Sequence, residues 1–280
     1  MVDIKYSQNF YKNKRNLKKI IKSINFKPKD IVIDIGAGEG IISNELAKYS
    51  QNILAYEKDR EFANVLKQKM INYPQVKVIN KDFLESELPN KNFKVFANIP
   101  FSITTEIINK ITDIKSKLSE GYLFLQKEAS ERFVGKPKNT QIATVLSSRY
   151  DINIIERFNQ KDFSPQPSVD IVLIKIKIKK NPEKECLIFR DFVTYIFNQI
   201  NKTAFDTLKQ LFTYKQLKHI KEHLSNNLYT KPSDIPSSYY LELFKYFKTN
   251  GDKYLNRVRG YYNKHNKQHT NIRKVYRTRK

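Results

Sequence analysis

Ile31-Val-Ile-Asp-Ile-Gly-Ala-Gly-Glu-Gly40 is the stretch of sequence that decides the fold. Its first five residues form an apolar, β-branched run, which predicts a buried strand. The three glycines that follow permit a tight turn and the close approach of a ligand to the backbone. A helical pattern of apolar residues begins at Glu39, so the sequence predicts a strand–loop–helix unit around a ligand-binding turn.

The same alternation of short apolar runs and helical patterns continues to residue 178. Further elements are predicted as strands at residues 53–57, 76–79, 93–97 and 122–125 and as helices at residues 39–49 and 60–71. Short continuous apolar runs are typical of parallel strands covered on both faces. Two later runs, 152–155 and 169–179, predict an antiparallel pair. The predicted fold class is therefore α/β, with a mainly parallel, doubly wound sheet.

Three segments are predicted along the chain. Residues 1–178 form the α/β catalytic domain. Residues 179–252 begin with a charged link and continue with helical patterns only, which predicts a small all-helical domain. Residues 179–280 carry 22 Lys or Arg against 8 Asp or Glu, and this positive charge predicts that the domain binds a polyanion such as RNA. Residues 253–280 form a basic tail with ten Lys or Arg and no acidic residue. The mixture of arginine and tyrosine in this tail suits phosphate binding combined with base stacking.

Charge is the strongest compositional feature. The 280 residues include 52 Lys or Arg against 28 Asp or Glu, a formal net charge of +24, which favours a polyanionic partner. The single cysteine, Cys186, excludes an internal disulfide framework and fits a reducing compartment. No apolar run approaches the ~20 residues that span a bilayer, and no signal peptide is visible. We expect a cytoplasmic protein.

The glycine loop allows two kinds of ligand. Glu57 ends the second predicted strand, 21 residues after Gly36, where a carboxylate can bind the ribose hydroxyls of an adenosine moiety. A dinucleotide loop would need its third glycine at the position of Ile41, whereas the glycine stands at Gly40. This spacing resembles the S-adenosylmethionine loop of class I methyltransferases. Asp82, after the third strand, either accepts a hydrogen bond from the adenine of this cofactor or caps a turn.

Asn98-Ile-Pro-Phe101 follows the fourth strand of this region. An amide oxygen, a backbone carbonyl and an aromatic ring at one loop can hold a flat group that carries an exocyclic amine, and adenine is such a group. The alternative is an asparagine-initiated turn with a buried phenylalanine.

Together these motifs resemble one family. Ser7-Gln-Asn-Phe10, residues 34–40, Glu57, Lys81-Asp82, residues 98–101 and Phe163-Ser-Pro-Gln-Pro167 occur in the order found in the rRNA adenine N6-dimethyltransferases. The resemblance covers roughly residues 4–245 and is strongest to the Erm group, because relatives of the KsgA type typically have Asn-Leu-Pro-Tyr. It implies a Rossmann-like class I methyltransferase domain with S-adenosylmethionine as the methyl donor. It also implies an adenine of 23S rRNA as the acceptor and resistance to macrolides, lincosamides and streptogramin B.

The resemblance also implies roles for individual residues. The cofactor would be bound by Asn9, Tyr11, Gly36, Gly38, Glu57, Asp82 and Asn98. The catalytic loop would be formed by Asn98, Pro100 and Phe101, with Phe101 and Phe163 on the two faces of the target adenine. We expect a monomer that acts on 23S rRNA before ribosome assembly is complete, without a metal. His219 and His223, four residues apart, have a spacing that could hold a metal, but no further ligand set accompanies them.

Two alternatives stay open at this point. One is a KsgA-type enzyme that dimethylates small-subunit rRNA. The other is a non-catalytic nucleic-acid-binding protein that reuses the fold. The intact set of Gly36, Glu57, Asn98, Pro100 and Phe101 argues against the second alternative, since a protein that only binds nucleic acid has no need of it.

Overall fold

The computed structural model describes residues 9–200, 203–223 and 228–270, and for residues 268–270 it describes the backbone only. The chain divides into two compact units. The first consists of Met1–Val134 and Tyr150–Lys180, and the second of Gly135–Arg149 and Asn181–Lys280.

The first unit contains the strands and the first five helices. The strands are β1 (Phe10–Tyr11), β2 (Ile31–Ile35), β3 (Asn52–Tyr56), β4 (Val76–Ile79), β5 (Phe93–Asn98), β6 (Leu118–Gln126), β7 (Tyr150–Phe158), β8 (Phe163–Ser164) and β9 (Ile171–Ile178). The helices are α1 (Lys14–Ile24), α2 (Ile41–Leu46), α3 (Arg60–Lys69), α4 (Thr104–Ile111) and α5 (Lys127–Val134).

Seven strands form one sheet in the order β4-β3-β2-β5-β6-β9-β7. The first five strands pair in parallel, and β9 is antiparallel to both β6 and β7. This confirms the predicted α/β class. The chain builds outward from β2 to β4 and then returns to place β5 on the other side of β2, which leaves a crevice at the carboxyl ends of β2 and β5.

A second, two-stranded sheet ties the start of the described chain to a distant loop. In β1 and β8, Phe10 pairs with Ser164 and Tyr11 with Phe163 in antiparallel register. The Tyr11 and Phe163 rings meet edge to face at 5.1 Å, and Tyr11 also lies 5.0 Å from the Phe124 ring of β6. All three rings are buried, so this small sheet is anchored in the core of the first unit.

The second unit is helical and has its own core. Its helices are α6 (Gln141–Leu146), α7 (Cys186–Phe197), α8 (Ala204–Leu208), α9 (Tyr214–His223), α10 (Ser237–Asn250), α11 (Leu255–Val258) and α12 (Tyr261–Thr270). Phe189 and Phe192 of α7 pack on Phe244 of α10 with ring centroids 5.2 and 5.5 Å apart.

Residues 135–149 belong to this helical unit, although the sequence pattern assigned them to the catalytic domain. The buried Asn139 explains the difference, because its amide donates to the Ile235 carbonyl (2.9 Å) and its backbone N–H donates to the Ser233 carbonyl (2.9 Å). These partners lie almost 100 residues away, so no local pattern reveals them.

The basic segment that follows residue 252 is helical as far as Thr270. The carboxylate of Asp191, on α7, accepts hydrogen bonds from the backbone N–H groups of Gly260 (2.7 Å) and Tyr262 (3.0 Å). These bonds satisfy free donors at the start of α12. Val258 is completely buried. The segment therefore packs into the helical unit, and the last ten residues of the predicted tail lie outside the described part.

A buried carboxyl group links β2 to α2. Asp34 is completely buried, and its Oδ2 accepts a hydrogen bond from Ser43 Oγ at 2.7 Å. Its Oδ1 has no hydrogen-bond partner among the described residues. Burial raises the pKa of Asp34 to about 7; the negative charge of Glu57 adds to the rise and the Ser43 hydrogen bond opposes it.

Among the described helices, none combines the length and the apolar character that crossing a bilayer would require.

Replacing Gly40 by alanine is expected to destabilise the first unit. A Cβ at Gly40 (φ +87°) would collide with Leu66 Cδ1 and lie 3.2 Å from Met70 Cε. The positive φ and the overpacking each cost about 1–3 kcal/mol. Gly36→Ala is the matched control, because at φ +68° its nearest neighbour is 3.7 Å away and only the backbone penalty applies. Denaturant unfolding measures both; an equal loss of stability in the two variants would contradict the steric argument.

Replacing Asp34 by asparagine is expected to remove part of the pH dependence of stability. The folded-state pKa of about 7 lies above the ordinary value of 3.8, so the folded chain binds the Asp34 proton more tightly. This stabilisation is complete below about pH 4 and is lost as the pH rises to about 7. The free energy of unfolding of Asp34→Asn minus that of the natural chain should therefore rise across this window, by up to about 4 kcal/mol. Chemical denaturation at pH 5 and pH 8 tests it, and parallel pH profiles would refute it.

Candidate active site

The predicted site residues follow successive parallel strands. Gly36 comes directly after β2, Glu57 directly after β3 and Asp82 shortly after β4, while Asn98 is the last residue of β5. Because the carboxyl ends of parallel strands meet at the same edge of the sheet, these residues lie along one edge. This is the edge where the strand order reverses between β2 and β5.

Hydrogen bonds fix the glycine loop to the end of β3. The backbone N–H of Gly36 donates to the Tyr56 carbonyl at 2.8 Å, and the N–H of Gly38 donates to Glu57 Oε2 at 2.8 Å. The other carboxylate oxygen of Glu57 accepts from the backbone N–H of Asp59 at 2.9 Å. Glu57 is only 2% exposed. Its carboxylate is thus held beside the glycine loop in one orientation, with acceptor capacity left on both oxygens.

The side chain of Asn98 is held by the chain segment before β1. Asn98 Nδ2 donates to the backbone carbonyl of Asn9 at 2.6 Å. Because Nδ2 is engaged as a donor, the amide oxygen Oδ1 of Asn98 remains able to accept a hydrogen bond from a ligand. A Cβ on Gly36 would lie 3.7 Å from Pro100 Cδ and 3.9 Å from the Asn98 carbonyl. The glycine loop and the Asn-Ile-Pro-Phe loop therefore approach each other closely.

Two adjoining cavities lie between these loops and share Phe10, Gly36 and Asn98. The larger, of about 220 Å³, is lined by Phe10, Tyr11, Gly36, Ala37, Glu39, Ile41, Ile42, Asn98 and Ser164. The smaller is lined by Asn9, Phe10, Gly36, Asn98, Ile99, Pro100 and Phe101. The larger cavity faces the glycine loop and the smaller faces the Asn-Ile-Pro-Phe loop. Asn98 thus borders both the predicted donor side and the predicted acceptor side.

Pro100 and Phe101 begin a short 3₁₀ turn at residues 101–103. The Pro100 carbonyl accepts a hydrogen bond from the backbone N–H of Ile103 at 3.2 Å, which leaves one of its lone pairs for another donor. Phe101 is half-buried and packs against the core of the first unit. Part of its ring therefore stays accessible at the smaller cavity.

Asp82 caps a turn and forms an ion pair. Its Oδ1 accepts from the backbone N–H of Leu84 at 2.8 Å, and its Oδ2 lies 2.8 Å from Lys58 Nζ. The hydrogen bond from Lys58 is the main reason why the pKa of Asp82 lies below its usual value. Asp82 is thus an ionised acceptor at the same sheet edge, outside the two cavities.

Phe163 does not line either cavity. It is 1% exposed, and Tyr11, Phe124 and Phe158 surround it at ring distances of 5.1 to 6.1 Å. In this structure the Phe163 ring is buried among other aromatic rings, so no part of it is open to a target base. The sequence predicted such a contact because Phe163 belongs to a motif, but burial cannot be read from a motif.

Tyr11 lines the larger cavity while its ring remains in the core. The phenol oxygen accepts a hydrogen bond from Asn16 Nδ2 at 3.2 Å. Burial raises the pKa of Tyr11 to about 12, so the phenol is neutral at physiological pH.

Phe10 and Ser164 are site residues that the sequence did not single out. Phe10 lines both cavities, packs on Phe62 at 5.5 Å, and covers Gly38 so closely that a Cβ there would lie 2.8 Å from the ring. Gly38 is therefore covered by protein and does not line either cavity. Phe10 lies inside the motif of residues 7–10, which was the available signal. Its pairing with Ser164 spans more than 150 residues and leaves no local pattern.

The described residues contain no group of three or more His, Cys, Asp or Glu side chains that could hold a metal ion. His219 and His223 stack on each other at 4.1 Å on α9, and His219 also stacks on Tyr246.

Comparison with known proteins identifies the family. The model of the family described as "Ribosomal RNA adenine dimethylase" matches residues 2–249. An rRNA adenine N-6-methyltransferase of Limosilactobacillus reuteri is 32% identical over 248 residues, which are 88% of this chain and 97% of the relative. The ribosomal RNA small subunit methyltransferase A of Thermotoga petrophila is 33% identical over 205 residues, 72% of this chain and 78% of that relative.

Solved structures show the same fold at lower sequence identity. The 23S rRNA methyltransferase ErmE superposes with a TM-score of 0.79 at 20% identity, covering 86% of this chain and all of that one. A dimethyladenosine transferase from Plasmodium falciparum gives a TM-score of 0.70 at 21% identity, covering 86% of this chain and 98% of that one.

The family model spans most of the chain, and the Limosilactobacillus relative is matched over nearly its full length. The predicted methyltransferase fold is confirmed by these matches. The chain belongs to the ribosomal RNA adenine dimethylase family and is an S-adenosylmethionine-dependent rRNA adenine N6-methyltransferase.

Proposed function

We propose that the enzyme methylates N6 of one adenine in 23S rRNA and so confers resistance to macrolides, lincosamides and streptogramin B. The observation that carries this proposal is the Asn98-Ile-Pro-Phe101 loop beside the glycine loop. Ile99 and Phe101 are the variants that resemble the Erm group. The net charge of +24 supports an RNA partner bound largely through its phosphates.

The residues present fit S-adenosylmethionine. Gly36 contributes no side chain at a wall shared by both cavities, and the Glu57 carboxylate retains acceptor capacity for ribose hydroxyls beside the glycine loop. When bound, the cofactor supplies an electrophilic methyl group on a sulfonium. We assign its binding to Asn9, Tyr11, Gly36, Gly38, Glu57, Asp82 and Asn98. Gly38 acts by orienting Glu57, and Asp82 accepts from the adenine end.

Asn98 and Pro100 activate the acceptor. The amine of adenine is a poor nucleophile, since its lone pair is delocalised into the ring. Its two N–H groups would donate to Asn98 Oδ1 and to the Pro100 carbonyl. These hydrogen bonds would raise the electron density on the nitrogen and orient its lone pair toward the methyl donor. The hydrogen bond from Asn98 to Asn9 holds the amide in the orientation that this step requires. Catalysis then rests on positioning and electrostatics, without a dedicated general base.

Phe101 stacks on the target base. An adenine inside a helix cannot present N6 to the enzyme, so the base must leave its stack and be held in the site. A stacked aromatic ring compensates for about 1–3 kcal/mol of the lost stacking. Phe163 would have to leave its aromatic cluster to reach the second face of the base. We therefore assign stacking to Phe101 and give Phe163 the role of holding β1 in place.

The site acts from a single chain. Every residue assigned to it belongs to the first unit, so we propose that the enzyme works as a monomer in the cytoplasm. An unpaired adenine is most accessible in RNA that is not yet packed into a ribosome. We therefore propose 23S rRNA before assembly is complete as the substrate.

Small-subunit rRNA is the second candidate substrate. The Thermotoga petrophila relative, a small-subunit methyltransferase by name, is 33% identical over 205 residues, against 32% over 248 residues for the Limosilactobacillus relative. Both reactions use the same donor and the same chemistry at N6. The two candidate functions differ only in which rRNA contains the methylated adenine, so the test must identify that rRNA.

Primer extension on rRNA from cells that express the enzyme is expected to stop at one adenine of 23S rRNA. The same cells should grow at macrolide concentrations that stop cells with an empty vector. Cells that express Asn98→Ala should show neither effect, since this variant lacks the Oδ1 acceptor. A stop confined to small-subunit rRNA, with unchanged macrolide sensitivity, would replace the proposal with its alternative.

Phe101→Ala is expected to lower methyl transfer to naked 23S rRNA roughly 5- to 150-fold, because the lost stacking is worth about 1–3 kcal/mol. Binding of S-adenosylmethionine should not change, since the ring stacks on the base. Phe101→Tyr keeps the ring face and should retain most activity. Labelled methyl incorporation and calorimetric cofactor binding measure the two effects, and a melting curve checks folding, because Phe101 also packs on the core. Incorporation by Phe101→Ala at the level of Phe101→Tyr would exclude the stacking role.

A further inference from the structure

The helical unit contains an open groove that lies outside the active site. Its volume is about 550 Å³. It is lined by Phe205, Lys209, Phe212, Tyr214, Leu217, Lys218 and Lys221, all from α8, α9 and the segment between them. We call it the α8–α9 groove. The lining is made of aromatic, aliphatic and lysine side chains and contains no acidic residue.

The α8–α9 groove has two exposed aromatic rings at its margin. Tyr214 is 86% exposed and Tyr229 is 57% exposed. All other aromatic side chains of the described residues are buried or half-buried. Tyr229 belongs to the groove because its ring lies 4.6 Å from that of Phe205. A cluster of large, solvent-exposed apolar side chains marks an interaction surface.

Lysine side chains lie over the Phe205 and Tyr229 rings. Lys221 Nζ is 4.4 Å from the Phe205 ring centroid and 4.7 Å from the Tyr229 ring centroid. Lys209 Nζ is 5.0 Å from the Phe205 ring centroid. Two acidic groups outside the lining pair with groove lysines, Asp206 with Lys209 at 3.0 Å and Glu222 with Lys218 at 3.9 Å. Both pairs are exposed and therefore weak, so the lysines can exchange these partners for phosphates.

We propose that the α8–α9 groove binds an unpaired base of RNA together with its flanking phosphates. Every base offers a flat face that can stack on an exposed tyrosine, and lysines beside the ring pair with the backbone. An apolar peptide would supply no negative charge to Lys221 or to the weakly paired Lys209 and Lys218. Single-stranded RNA supplies both the flat ring and the negative charge. The inference deepens the proposed function, since it assigns a second RNA contact to an enzyme that acts on rRNA.

Such a groove distinguishes single strands from duplexes. In a duplex the base faces are covered by neighbouring bases, so only phosphates remain for the lysines. Tyr214 then contributes to the binding of unpaired RNA and not to the binding of duplex RNA. This difference separates a stacking groove from general attraction between a basic protein and an acidic polymer.

The test is fluorescence anisotropy of the full-length chain with a short single-stranded RNA and with a duplex of the same sequence. Tyr214→Ala should weaken single-strand binding roughly 5- to 150-fold, which corresponds to stacking of about 1–3 kcal/mol per base, and leave duplex binding unchanged. Tyr214→Phe should bind as the natural chain does.

Lys218→Gln should reduce the slope of log K against log salt by about 0.7 for each phosphate lost. Leu187→Ala, which truncates another exposed apolar side chain of the helical unit (48% exposed), is the control.

Equal single-strand binding by Tyr214→Ala and Leu187→Ala would overturn the inference. So would an equal loss of single-strand and duplex binding in Tyr214→Ala, since stacking on an unpaired base would then not be involved. Tyr214 is exposed, so its truncation should leave the fold intact, and circular dichroism checks this. The outcome is independent of the target RNA. If 23S rRNA is methylated but binding does not depend on Tyr214, only the RNA-binding role of the groove is rejected. If small-subunit rRNA is methylated and binding depends on Tyr214, only the proposed target is rejected.

Discussion

The pairing of β2 with β5 is the constraint on which the site depends. Ile31 lies opposite Phe93 and Ile33 opposite Val95 in parallel register, and β5 ends one residue position beyond the end of β2. This register brings Gly36 next to the loop that starts at Asn98. Side chains alternate between the two faces of a strand, so a slip by one residue would turn Asn98 to the opposite face of the sheet. The buried apolar residues of both strands hold the register, and the positions of the polar groups follow from it.

A chain of contacts connects the core to the acceptor loop. Phe163 packs against Tyr11, and the β1–β8 pairing places Asn9 so that its carbonyl accepts from Asn98. A buried phenylalanine far along the sequence therefore contributes to the orientation of an amide at the site. This explains why the Phe163 motif accompanies the Asn98 motif although Phe163 does not line the cavities. Phe10 occupies the next position on β1 and lines both cavities.

The sequence predicted the central elements well where burial alone determines them. The bounds of β2 and β4 agree with the predicted runs at 31–35 and 76–79. β2 lies inside the sheet, where a strand covered on both faces is a continuous apolar run. β4 is the edge strand, and its three apolar residues gave the signal although Lys77 between them is exposed. The two-residue strands β1 and β8 were not predicted, since their pairing depends on partners more than 150 residues apart. For the same reason residues 135–149 were assigned to the catalytic domain, although Asn139 is bound to Ile235. Motif order pointed to candidate site residues, but whether a ring is half-buried, as for Phe101, or fully buried, as for Phe163, depends on packing.

Part of the basic segment that follows residue 252 is packed into the helical unit. The family model ends at residue 249, yet Val258 is fully buried and Asp191 binds the backbone at Gly260 and Tyr262. An acidic side chain at the N-terminus of α12 also interacts favourably with the helix dipole. The helix that carries Lys264 and Lys267 is therefore joined to α7 by packing and by hydrogen bonds. Cations on such a helix lose little conformational entropy when they meet a phosphate, in contrast to cations on a disordered tail, which must be ordered at that moment. The packing of α12 thus holds Lys264 and Lys267 at defined positions of the helical unit.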